Sequence, residues 1–300
     1  MAMTLRHMRY FDALATTMHF TKAAELVRIS QPALSAQIAD LENSVGALLV
    51  ERNKNGIRLT EKGSEMLVQF REILQQVKLL EDGAKPGKDV LSGKIAIGAI
   101  PTVAPYLIPR LIPLLRKDYP ELDIELREAV TATLIDELSF GRIDVMIAAL
   151  PVANVAFESE PLFIDRFLVA VADNDRDVLH GPVAQENFAP ERLLLLEEGH
   201  CLRDQALDIC STGTRRLVNF GATSLSTLLQ LVSNGLGMTL IPEIAVDVER
   251  QRNAMRIVRF DDPQPSRTIG IIWRKSSTSK VDIKTLGELI RRVHVQPVLK

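Results

Sequence analysis

The sequence predicts a multidomain chain of the α plus α/β kind: an N-terminal winged helix-turn-helix, a long linker helix, then an α/β domain of two lobes. Three observations carry this. The 300 residues exceed one ordinary domain at roughly 150 residues each. Before about residue 90 the apolar patterns have helical period; beyond it, short β-branched runs alternate with helical stretches, as in an α/β domain. Between the two, Glu81 to Gly93 (EDGAKPGKDVLSG) gathers Gly, Pro and charge, the composition of a linker. The divisions fall at 1–60, 61–92 and 93–300, the last splitting into about 93–163 with 269–300, and 164–268.

The first element with a clear signature spans Phe20 to Leu41, FTKAAELVRISQPALSAQIADL. Thr21 is placed to cap a helix running through Val27, and small Ala23 and Ala24 allow a neighbouring helix to press close. Arg28-Ile29 makes a short turn. Ser30 caps a second helix, with Pro32 in its first turn, where a missing N–H costs little. Leu34, Ile38 and Leu41 recur at helical spacing as the core stripe. Small residues dominate the opposite face, so the backbone can sink deep into a groove: a helix-turn-helix with its recognition helix second.

A basic segment follows, Arg52 to Arg58 (RNKNGIR), read as a hairpin with Asn55-Gly56 at its tip. Beside a helix-turn-helix this is a wing, with Arg52, Lys54 and Arg58 on phosphates. Base contacts fall to the start of the recognition helix: Ser30, Gln31, Pro32 and Ser35. Gln31 can read adenine, and Pro32 can pack on a thymine methyl. Thr60 caps a helix of about six turns, whose Met66, Phe70, Ile73, Val77 and Leu80 step by 4, 3, 4, 3. That is a coiled-coil seam, read as a dimer helix because two DNA half-sites need two copies.

The strands expected beyond the linker include Ile95–Ile100, Val145–Leu150, Leu193–Leu196 and Thr268–Trp273, in largely parallel sheets.

Composition excludes other classes. Apolar residues are 46% and charged residues 25%, the balance of a soluble globular protein. No apolar run nears the ~20 residues that span a bilayer, and MAMTLRHMRYFDA lacks a signal peptide's apolar core. The expectation is a cytoplasmic protein with no membrane partner. Two cysteines exclude a disulfide scaffold and an all-cysteine metal site; neither metal nor cofactor is expected. Net charge −2 leaves nucleic-acid binding to a local basic patch.

Residues 3–65 resemble the winged helix-turn-helix of LysR-type transcriptional regulators. The resemblance is carried by Phe20, Thr21, Ala23-Ala24, Leu26, Ser30 to Ser35, Gln37-Ile38, Leu41-Glu42, Gly46, Leu49, Glu51-Arg52 and Thr60 to Gly63. The remainder resembles that family's effector domain, two α/β lobes of the periplasmic-binding-protein type. Glu197 to Ala206 (EEGHCLRDQA) with Cys210 resembles the family's peroxide-sensing members; so do Ile100 to Val103, Glu128 to Thr131, Ala222 to Leu225 and Arg267 to Gly270. The resemblance implies a regulator of the oxidative stress response, not an enzyme. Its implied partners are double-stranded promoter DNA, hydrogen peroxide and RNA polymerase, in a homotetramer dimerised through the linker helix. It also implies that Cys201 and Cys210 are the redox-active pair, with Thr102, Thr131, His200, Arg203 and Asp204 binding peroxide or activating the thiol. Arg267 would anchor a charged group or a lobe contact.

Physical chemistry bears on that pair. A cation beside a thiol favours the thiolate, the form that attacks peroxide, and His200 and Arg203 flank Cys201. The eight residues between the cysteines, LRDQALDI, favour helix. Nine helical steps hold the two Cα atoms ~13 Å apart, whereas a disulfide needs them within about 7 Å. Helix and bond therefore exclude each other, and oxidation to sulfenic acid followed by capture has to unwind the segment. An alternative keeps the regulator but gives it a small organic effector between the lobes. A thiol peroxidase would need no winged helix-turn-helix, and a solute-binding protein would need an export signal.

Overall fold

In a computed structural model of the chain, the described residues are 3–53, 56–83, 91, 93–174, 181–185, 193–210, 217–277 and 280–295. They fall into two compact units, Met1–Gly87 and Lys88–Lys300.

The first unit contains α1 (Leu5–Thr17), α2 (Phe20–Leu26), α3 (Gln31–Val45), the β1 (Val50–Asn53) and β2 (Gly56–Leu59) hairpin, and α4 (Glu61–Gly83). Thr4 and His7 close a capping box on α1. The cap of α2 differs from expectation. Thr21 lies inside the helix, and His19 Nδ1 accepts from the Thr21 N–H at 3.2 Å; an imidazole nitrogen supplies the acceptor that a hydroxyl would otherwise provide. Ser30 caps α3 through Ala33 N–H, and Leu34, Ile38 and Leu41 are buried as the stripe requires. Ala23 and Ala24 share that core with Phe11 and Phe70.

Glu42 fastens the hairpin to α3 by accepting from Leu49 N–H (2.7 Å) and Val50 N–H (3.1 Å). Asn53 pairs with Gly56, so Gly56 belongs to a strand rather than to the expected Asn-Gly tip. Lys54 and Asn55 lie outside the described residues. Thr60 caps α4 through Gly63 N–H and donates to the Leu48 carbonyl. A Cβ at Gly63 would sit 2.1 Å from the Leu49 carbonyl oxygen, which explains glycine there.

The seam on α4 divides. Phe70 is fully buried, edge-on to Phe11 at 5.8 Å, and Met66 packs on the same core. Ile73 is 39% exposed. For Leu80 only the backbone is described. The heptad spacing therefore serves two purposes: its first turns cover this unit's own core and later turns present apolar surface.

In the second unit, β3 (Gly93–Ala99), α5 (Ala104–Asp118), β4 (Leu122–Glu128), α6 (Thr131–Ser139) and β5 (Val145–Leu150) form a parallel α/β layer. Then β6 (Phe157–Ala172) runs out of this lobe into the next. There follow β7 (Leu193–Leu196), α7 (Cys201–Ile209), β8 (Leu217–Ala222), α8 (Leu225–Ser233), β9 (Thr239–Pro242), α9 (Glu243–Arg250) and β10 (Met255–Val258). The chain returns through β11 (Ser266–Arg274) and closes the first lobe with α10 (Lys280–Val295).

The sheet order is β10-β6-β11-β5-β3-β4, with β9 also on β6 and a separate β7-β8 pair. The sheets are less parallel than expected. The βαβ steps inside each lobe are parallel, but β6 and β11 pair antiparallel with each other and with β5, β9 and β10. Pro161 in β6 faces Gly270 at a register shift, where a missing N–H is tolerated. One core packs between the first lobe's sheet and α5, α6 and α10; others fill the second lobe.

Candidate functional site

The site forms where strand ends from both lobes converge. After β3, Val103 and Ala104 N–H both bond to the Ile100 carbonyl, turning the chain into α5 and placing Thr102 at the strand end, 2% exposed. After β4, Val130 leads into α6, whose first residue is Thr131. After β7, Gly199 takes φ +93, a left-handed turn that a side chain would strain. The turn delivers His200 as N-cap and Cys201 as first residue of α7. Ile100, Pro101, Thr102, Val130, Thr131, His200 and Cys201 line one small pocket, with about 170 Å³ of open space including its mouth. The position, outside the carboxyl ends of parallel strands, is where open α/β sheets place ligands.

Its polar atoms suit a small guest that both donates and accepts. Thr131 Oγ1 and His200 Nδ1 are buried without a hydrogen-bond partner among the described residues. Such atoms cost about 1–3 kcal/mol each if left unmet. Burial lowers the His200 pKa below its usual 6.5, with Glu197 opposing, so the ring is neutral near pH 7. Thr102 Oγ1 accepts from Arg267 Nη1 at 3.0 Å, which leaves its hydroxyl hydrogen free to donate.

Arg267, expected to anchor a charged group or a lobe contact, holds the carboxylate of Asp165. Its Nε (3.0 Å) and Nη2 (2.9 Å) both donate to Asp165 Oδ2, the two side chains 1% and 0% exposed. The guanidinium also lies 5.6 Å from the Phe167 ring centroid. Asp165 Oδ1 accepts from Ile244 N–H at the start of α9. Asp165 was missed altogether. Its signal was a lone carboxylate within an apolar strand, LFIDRFLVAVA, which needs a buried partner.

Arg203 and Asp204 stand apart from the pocket's lining. Arg203 Nη1 donates to the Leu196 carbonyl at 2.8 Å, bracing α7 against β7. Asp204 is exposed in the first turn of α7, where a carboxylate suits the helix dipole. Neither cysteine is in a disulfide. Cys201 packs against the first lobe's core. Cys210, the C-cap of α7, is 2% exposed among Val169, Leu193, Leu240 and Phe260 of the second. Burial pushes the Cys210 thiol up to about 12. The helix between them sets their Cα atoms ~13 Å apart at 1.5 Å per residue.

On the first unit, Ser30, Gln31 and Pro32 are exposed at the start of α3, with Ser35 half-buried one turn on. Arg58 is exposed on β2. Arg52 lies on β1 opposite Ile57, with only its backbone described. Among the described residues no helix is long and apolar enough to cross a membrane.

Known proteins resemble the chain along its whole length. Residues 5–64 match the family of bacterial regulatory helix-turn-helix proteins, lysR family, and residues 88–294 match the LysR substrate binding domain. The DNA-binding transcriptional dual regulator OxyR of Escherichia coli K12 is 39% identical over 302 residues, 99% of each chain. A full-length OxyR variant from Pseudomonas aeruginosa aligns with TM-score 0.78 and 36% identity, covering 97% of this chain and 95% of that one. A peroxide-bound OxyR mutant from Corynebacterium glutamicum aligns with TM-score 0.65 and 31% identity, covering 98% and 94%.

Proposed function

The chain belongs to the LysR family of bacterial regulators, and from that premise we propose that it is a DNA-binding transcription regulator of the oxidative stress response, switched by hydrogen peroxide at Cys201. The observation that carries this reading is the convergence of a thiol, two unmet buried polar atoms and an oriented threonine hydroxyl on one small recess. Peroxide resembles two waters and needs such partners.

Thr102, Thr131 and His200 hold peroxide beside Cys201. The thiolate attacks one oxygen; the O–O bond breaks, leaving Cys201 as sulfenic acid and releasing hydroxide, which takes up a proton as water. The Cys210 thiol then attacks the sulfenic sulfur, forming the disulfide and expelling the second water. Arg203 releases the Leu196 carbonyl as α7 unwinds, and Cys210 leaves its apolar site. Asp204, exposed in the first turn of α7, accepts protons on their way to solvent.

Residues 1–60 bind promoter DNA, 61–92 dimerise the protein through α4, and 93–300 sense peroxide, with about 93–163 and 269–300 forming one lobe and 164–268 the other. Ser30, Gln31, Pro32 and Ser35 meet base edges; Arg52, Lys54 and Arg58 meet phosphates. Repacking around α7 changes how subunits meet in a cytoplasmic homotetramer, and hence the DNA contacts offered to RNA polymerase. DNA footprinting with reduced and peroxide-treated protein tests this. The footprint is expected to shift in the wild type and stay fixed in Cys201→Ser. An unchanged wild-type footprint, or a Cys201→Ser footprint that still shifts, would refute the switch.

A further inference from the structure

One buried polar cluster has no part in the chemistry above. Glu249, near the end of α9, is 1% exposed and accepts three side-chain hydrogen bonds. Tyr106 Oη (2.9 Å) and Ser226 Oγ (2.6 Å) donate to Oε1, and Asn253 Nδ2 (3.1 Å) donates to Oε2. Tyr106 is in the first turn of α5, four residues after Thr102. Its ring is 3% exposed within the second lobe's core, while Leu107, Ile108 and Leu111 of the same helix pack in the first. Ser226 begins α8. One carboxylate therefore gathers helices from both lobes.

The pocket is also assembled from both lobes, Thr102 and Thr131 on one wall and His200 and Cys201 on the other. Among the described residues the chain itself joins the lobes along β6 and β11. Further ties run through α9. At its start, Ile244 N–H holds Asp165, which holds Arg267 and through it Thr102; at its end, Glu249 holds Tyr106. We propose that Tyr106, Ser226 and Glu249 form an inter-lobe clasp that positions the Thr102 wall against Cys201, making them positioning residues for the thiol's reaction with peroxide.

A buried carboxylate is tolerated only where its lone pairs are met, and a satisfied network selects one arrangement over its near neighbours. Burial, with the Glu249 charge, raises the Tyr106 pKa above its ordinary value, so the hydroxyl remains a donor throughout the physiological range. Without that donor, the first turn of α5 loses its tie to α9. Thr102, one turn upstream, moves with it. A misplacement of about 1 Å can cost on the order of a hundredfold in rate.

The inference rests on the peroxide-sensing reading, and the test separates the two. Loss of the free Cys201 thiol is followed by mass spectrometry in the reduced full-length protein, with hydrogen peroxide and, separately, with iodoacetamide, which needs no opposite wall. In Tyr106→Phe the peroxide rate is expected to fall about tenfold to a hundredfold while alkylation stays unchanged. Ser226→Ala, a milder change less apt to disturb folding, is expected to shift the rates the same way. Wild-type peroxide rates in both variants, or peroxide and alkylation rates falling in step, would overturn the clasp. If wild-type Cys201 does not react with peroxide, the sensing reading falls and the clasp with it. A reactive wild type with unaltered variants sinks the clasp alone.

Discussion

Asp208→Pro offers a direct handle on the thiol switch. Asp208 is exposed on α7, away from the buried Leu202 and Ala206, so its replacement disturbs the helix and little else. A proline there removes one helical N–H and crowds the carbonyl of Asp204, at a cost of about 3 kcal/mol to a helix interior. The bridged form cannot keep this helix, because nine helical steps span ~13 Å and a disulfide allows about 7 Å. The proline therefore destabilises the reduced form alone. The expected effect is roughly 150-fold in the thiol–disulfide equilibrium, a reduction potential about 65 mV more negative. Asp208→Ala, by up to ~0.7 kcal/mol a better helix former, is expected to move it about 15 mV the other way. Equilibration in glutathione buffers, with alkylation and mass spectrometry, measures both. An unmoved potential in Asp208→Pro, or the same direction in both variants, would refute the reasoning.

Three further outcomes are expected. Asp165→Asn leaves Arg267 buried and without its anion, so thermal or denaturant unfolding is expected to show a loss of about 3–5 kcal/mol; a loss well under 1 kcal/mol would contradict the buried pair. His200 and His294 are both lowered by burial below the usual 6.5. The unfolded chain thus takes up their protons first, and their contribution to stability is present above pH 6.5 and declines as pH falls below it. His294→Phe is expected to flatten that decline in melts between pH 7.5 and 5, and an identical pH slope would count against it. Operator affinity is expected to fall steeply with salt, and Arg58→Ala to reduce the log–log slope by about 0.9; an unchanged slope would place Arg58 off the phosphates.

The recognition helix was legible because its signals are local: a cap at Ser30, Pro32 in the first turn, and a stripe that one helix buries. Likewise, Cys201, His200, Thr102 and Thr131 stood out through short motifs at strand ends, and the structure brings them to one pocket. The long strand β6 was not foreseen. Its first half mixes buried, half-buried and exposed residues in one lobe, and from Phe167 on it is continuously buried in the other, so no single period describes it. Pro161 also argued against a strand. The Asp165–Arg267 pair joins residues 102 apart in sequence, and no local pattern reports such a contact. On α4 the heptad spacing was visible, but spacing cannot say that Phe70 packs on Phe11 rather than on a second copy.

The claim at the centre is that one segment serves as a helix with its sulfurs apart, or as a bridge with the helix gone. Amide hydrogen exchange over residues 201–210, in reduced and peroxide-oxidised full-length protein, reads this directly. Protection of the α7 amides in the reduced protein, lost on oxidation together with formation of one Cys201–Cys210 bridge, is the predicted result. Equal protection in both forms once the bridge has formed would contradict it.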